Sequence, residues 1–196
     1  MERAGDGLPE ILPASNRVGG NAMDETQNAA LLVVDVQQGL LDKGPFEKER
    51  LAETIGRLLG EFRREQKPVL FVRHDDGPGT ELAAGAPGWE IAREVSPLKG
   101  EKIFDKRFNS AFLETGLEEY LGEAGIKTLV VAGLQTEYCI DATVKSAFER
   151  GFKVLLPKGG ITTFDNGSFS AAQINRFYYE SIWRGRYGEI LEGAGV

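Results

Sequence analysis

The strongest constraint in this chain is a series of short, almost purely apolar runs set apart by segments of helical spacing. AALLVVDV begins at Ala29, PVLFVRH covers 68–74, KTLVVAG 127–133 and FKVLLP 152–157. Continuous apolar runs of this length read as strands buried on both faces, the kind that parallel sheets contain. EKIF at 101–104 is a weaker strand candidate, and EIL at 189–191 a short edge strand. Between them, 46–66 repeats apolar residues at Leu51, Ile55, Leu58, Leu59 and Phe62, spacings of three and four that predict one helix. The segments 111–125, 136–151 and 168–185 predict three more, and Gly151 is placed to end the second of these. Strands alternating with helices imply right-handed β-α-β units, hence a single-domain, three-layer α/β/α fold around an open, mainly parallel sheet.

A length of 196 residues suits one such domain. Residues 1–28 are rich in Gly, Pro, Asn and charge and lack periodicity, so they read as a flexible or loosely docked tail before a domain at 29–196. A net charge of −7 and a pI near 4.9 argue against nucleic acid and anionic membranes as partners, since both require a basic surface. The longest apolar run, about six residues, falls far short of a membrane span, and the N-terminus has no signal-peptide core. One cysteine allows no intrachain disulfide and suits a reducing compartment, so a cytoplasmic location is expected.

In open α/β sheets, ligands bind outside the carboxyl ends of the strands. That rule selects Asp35 after the first strand, His74 and Asp75 at the end of the second, Lys106 after the third, and the Gly133–Cys139 turn after the fourth. Cys139 sits in the opening turns of a predicted helix, where free N–H groups and the dipole lower a thiol pKa; the alternative is a small buried hydrophobe. Asp35 is either a carboxylate that takes the thiol proton or a loop acid capping a helix. Lys106 is either a cation favouring thiolate or a solvated surface lysine. His74, the only histidine, leaves a Cys–His pair open on spacing, while binding a metal through several imidazoles is impossible with one. No segment has ligand spacing for a carboxylate site, so neither metal nor cofactor is expected. The Gly- and Pro-bearing stretch 75–100 reads as an active-site wall. Trp89, Phe104, Phe108, Tyr138 and Phe164 are candidates to line the cleft, with plain core packing the alternative for each, and His74 is a further substrate-binding candidate.

Four segments resemble the isochorismatase-like superfamily, the cysteine hydrolase family. They are ALLVVDVQQGL, RHDDGPGTELAAGAPGWEI, FDKRFNSAFLETGLEEYL and VVAGLQTEYCIDATVKSAFERGFKV, in that order. The resemblance covers about 28–192. It implies a six-stranded, mainly parallel sheet of Rossmann-like order and a catalytic triad at Asp35, Lys106 and Cys139. It also implies a cis Leu134–Gln135 peptide, an oxyanion hole from the Gln135 and Cys139 N–H groups, and Gln37 as the glutamine of an Asp-x-Gln motif, a substrate-binding candidate. The Asp-x-His of the family's metal-dependent nicotinamidases is absent. FYYES at 177–181 departs from many relatives and leaves substrate transfer open.

The expected activity is therefore hydrolysis of an amide or ureido C–N bond in a small molecule through a thioester. An isochorismatase-type vinyl-ether hydrolase with Asp35 as acid is the alternative, and a non-catalytic binding subunit a third reading. The resemblance also implies a homodimer or homotetramer, which the aromatic last helix (Phe177, Tyr178, Tyr179, Trp183) supports only weakly.

Overall fold

The computed structural model describes residues 28–192; the expected tail up to residue 27, and 193–196, lie outside the described residues. Strand β1 (Ala29–Val34) is buried along its whole length. After it come α1 (Gln38–Asp42), α2 (Lys48–Arg64), β2 (Val69–His74), β3 (Lys102–Lys106), α3 (Leu117–Glu123) and β4 (Thr128–Leu134). A π-helical turn (Thr136–Ile140) runs directly into α4 (Asp141–Glu149). Then follow β5 (Lys153–Pro157), β6 (Ile161–Thr162), α5 (Ala171–Phe177) with a π-helical continuation to Trp183, and β7 (Glu189–Leu191).

The strands pair in the order β3-β2-β1-β4-β5-β7, and the pairings are parallel. Side chains alternate across the sheet. Leu31 and Val33 of β1 meet the apolar face of α2, including Ile55, Leu58 and Phe62. Ala30, Leu32 and Val34 meet Leu117 and Leu121 of α3, Val144 of α4, and Trp183. These two cores make the three expected layers. The strand order reverses between β1 and β4, so the crevice at their carboxyl ends is the switch point where such sheets bind ligands.

The structure departs from the sequence reading in four places. A seventh strand, β6, pairs with Gly133–Leu134 of β4; at two residues it is too short to carry a periodic signal. The helix expected over 111–125 is helical only over Leu117–Glu123. The Thr115 hydroxyl donates to the Ala111 carbonyl and accepts from Leu117 N–H, and Gly116 adopts φ 75°, so side-chain bonding and a left-handed residue close off the earlier turn. The last helix starts only after Ser170, which forms a capping box with Gln173. Strand β3 runs to Lys106, so that lysine ends the strand instead of following it. The aromatics of the last helix divide. Tyr179 and Trp183 are buried, with Trp183 Nε1 donating to Asp141 Oδ1, while Phe177 stays exposed. No helix among the described residues is long and apolar enough to cross a membrane.

Candidate active site

Lys106 Nζ lies 2.7 Å from Asp35 Oδ2, 2.8 Å from His74 Nδ1 and 3.1 Å from Cys139 Sγ. Four backbone segments deliver these groups: the ends of β1, β2 and β3, and the turn after β4. Asp35 leaves β1 with φ 54°, a left-handed conformation that aspartate tolerates better than most residues, and its own N–H still reaches Val72 of β2. Cys139 lies in the π-helical turn, where the Gln135 carbonyl accepts from both Tyr138 N–H and Ile140 N–H. The Leu134–Gln135 peptide is cis.

The Lys106 and Asp35 side chains are 0% and 2% exposed. Burial pushes the Asp35 carboxyl above the ordinary range, and the adjacent Lys106 charge opposes that rise. Asp35 Oδ1 is buried with no hydrogen-bond partner, which leaves a basic lone pair inside the site. The Cys139 thiol is pushed up from 9.0 to about 12, by burial first and by the Asp35 charge second, with Lys106 pulling the other way. The thiol-lowering effect expected of a helix start is therefore overruled. Desolvation of a thiolate costs more here than the turn's N–H groups return.

This shift has a measurable sign. Between pH 9 and pH 12 the unfolded chain has lost the Cys139 proton while the folded chain keeps it, so folding loses stability as pH rises through that window. The full shift corresponds to about 4 kcal/mol. Denaturant melts of the wild type and Cys139→Ala across this range should diverge, the alanine variant losing less. Parallel curves would mean that the thiol is not so held.

Of the residues expected at the cleft, Trp89 and Phe108 line a cavity of about 420 Å³ together with Lys106, Asp75 and Arg107. The 75–100 stretch thus does wall that cavity. Trp89 is stacked on the Arg73 guanidinium at 3.4 Å. Tyr138 is exposed, and its hydroxyl is bonded by Asn166. Phe104 packs edge-on against Tyr120 in the core, and Phe164 packs against the α2-side core, so the structure places both in packing. Gln37 is fully buried, and its amide is spent on backbone. Nε2 donates to the His74 and Trp89 carbonyls, and Oε1 accepts from His74 N–H. It braces the site rather than facing a ligand.

Two neighbours escaped the sequence reading. Asn109 Oδ1 lies 3.8 Å from Cys139 Sγ, and Asp76 Oδ1 lies 3.0 Å from His74 Nε2. The His74–Lys106 contact had a readable cause, since the two are register partners on adjacent parallel strands and project to one face. Asp35, His74 and Cys139 offer ligand atoms within 4.8 Å of one another. The Lys106 ammonium, bonded to all three, already holds the position that a divalent ion would need.

An open α/β sheet with a carboxylate, an ammonium and a thiol buried together at its switch point defines the class of protein at hand. The sequence profile of the isochorismatase domain matches residues 29–182, and the chain belongs to the isochorismatase family. It is 35% identical to a streptothricin hydrolase of Streptomyces noursei over 138 residues, 69% of this chain and 50% of that protein. The chain thus spans about half the length of the streptothricin hydrolases it matches. The crystal structure of an isochorismatase family protein superposes with a TM-score of 0.79 at 30% identity, covering 85% of this chain and 99% of that one. A cysteine hydrolase from Pseudomonas syringae pv. phaseolicola 1448A has a TM-score of 0.76 at 25% identity, covering 83% and 87%.

Proposed function

We propose that this protein is a cysteine-nucleophile hydrolase that cleaves a C–N bond in a small amide or ureido compound. The observation that carries this reading is the single buried ammonium of Lys106, hydrogen-bonded to a carboxylate of raised basicity and to the only thiol of the chain. Asp35 Oδ1 takes the Cys139 proton as sulfur attacks the carbonyl carbon. Lys106 compensates the charge that appears on sulfur. The N–H groups of Gln135 and Cys139 hold the oxyanion, each such donor being worth roughly 10²–10³ in rate. Asp35 returns the proton to the leaving nitrogen and the C–N bond breaks, giving a thioester and the free amine. Water, deprotonated by Asp35, then releases the acid and restores the thiol.

The raised Asp35 carboxyl also suits an acid that protonates a vinyl ether, which keeps the ether-hydrolase reading as the alternative. The test is a panel of primary amides, ureido acids and cyclic-amide antibiotics, streptothricin included because relatives bear that name. Ammonia, amine or acid release is measured together with intact protein mass under rapid quench. A substrate that is turned over with a mass increase equal to its acyl group, lost on treatment with hydroxylamine, is the expected result. Turnover without any acyl adduct, even with slowly hydrolysed analogues, would count against the covalent route.

A further inference from the structure

We infer that His74 is a positioning residue, its unprotonated Nδ1 accepting the third proton of the Lys106 ammonium and so aiming the other two at Asp35 and Cys139. The inference rests on the hydrolase reading above and adds to it a residue outside the expected triad. A lysine ammonium has three donors and no acceptor, so a 2.8 Å contact with an imidazole nitrogen requires that nitrogen to be the acceptor. The ring proton then sits on Nε2, 3.0 Å from Asp76 Oδ1, which accepts it. Both ring nitrogens are thereby occupied, and neither is free to act as the base for the thiol.

The ring is held from the backbone side as well. Gln37 bonds the His74 N–H and the His74 carbonyl with the two ends of one buried amide. Register pairing with Lys106 sets the two side chains abreast. Three acceptors around one ammonium leave it no free rotation and no unpaired N–H. Remove the imidazole, and a buried N–H of a charged group loses its partner, a loss the group recovers only by turning from Asp35 or Cys139 or by admitting water.

The test compares His74→Leu, which fills the space without an acceptor, with His74→Asn, whose amide oxygen can occupy the place of Nδ1. Readouts are kcat and KM on the substrate found in the panel, and the rate of Cys139 alkylation by iodoacetamide at several pH values. Circular dichroism melts report folding. The leucine variant should lose about 10–100-fold in kcat with KM changed by less than about threefold, and asparagine should recover most of it. Alkylation should slow in leucine and recover in asparagine, because the thiolate relies on an aimed ammonium. If leucine is not accommodated, His74→Ala takes its place with the same readouts. Wild-type kcat and alkylation without the imidazole would overturn the inference. So would an asparagine variant as impaired as leucine, which would assign the chemistry to the imidazole itself. Should Cys139 prove dispensable for turnover, the cysteine-nucleophile reading falls, yet the alkylation comparison still decides the role of His74.

Discussion

Cys139→Ala is expected to lower kcat on any amide substrate by at least about 10⁴-fold, with the folded state at pH 7 changed by no more than about 2 kcal/mol. The first half follows from the covalent route, because no other thiol exists in the chain to replace the lost one. Its size follows from the state of the thiol. Burial and the Asp35 charge push the Cys139 pKa up to about 12, so at pH 7 the neutral thiol is favoured. The proton therefore leaves as sulfur attacks, and the base beside the thiol is the Asp35 carboxylate. Asp35→Asn should cost a similar factor, since an amide cannot take that proton. It should also destabilise the fold, because Lys106 is left buried without its counter-charge, a loss of about 3–5 kcal/mol. The modest stability effect of Cys139→Ala follows from the small volume removed and from the neutral state of the thiol. The measurement is steady-state kinetics on the panel substrate beside urea melts. Retention of full activity by Cys139→Ala would instead favour acid catalysis on an ether by Asp35.

The second large effect is on folding. Gly133→Ala should cost more than about 4 kcal/mol, enough to leave much of the chain unfolded or insoluble. Gly133 has φ 133°, and a Cβ there would fall 1.9 Å from the Val34 carbonyl oxygen, with Val34 C and N at 2.8 and 2.9 Å. Those atoms are backbone of the central strand, paired with Gly133 in register, and cannot give way without opening the β1–β4 ladder. The same crowding serves the site. It brings the end of β1, which carries Asp35, against the end of β4, which leads through Gln135 to Cys139. Gly56→Ala is the matched control: it lies on the exposed side of α2 with open space around it, so alanine should stabilise by up to about 1 kcal/mol. A Gly133→Ala protein that melts like the wild type would show that the Val34 carbonyl does not crowd this position.

Much of this architecture is legible in the sequence. The runs at 29–34 and 127–133 read as buried parallel strands, being apolar on both faces, and the spacing of Leu51 to Phe62 reads as one covered helix face, as the structure has them. Where the reading slipped, a local interaction had outbid a weak pattern. Thr115 and Gly116 shortened a helix, Ser170 delayed another, and β6 had too few residues to announce itself. Phe104 and Phe164 carried no mark to separate a cleft aromatic from a packed one, because that depends on which neighbours arrive from elsewhere. Gln37 was visible as a motif residue, but its use as a brace for His74 and Trp89 was not.

The sequence by itself determined that Asp35 and His74 close apolar strands and that Lys106 and the Gly133–Cys139 turn follow two others, and thus that these groups share the carboxyl rim of the sheet. Only the tertiary structure decided how they divide the work. Register set His74 beside Lys106 and made the imidazole a third acceptor, and burial raised a thiol pKa that the helix start was expected to lower. Both outcomes are properties of surroundings, and desolvation and hydrogen-bond direction exist only once distant segments have been brought within a few ångströms.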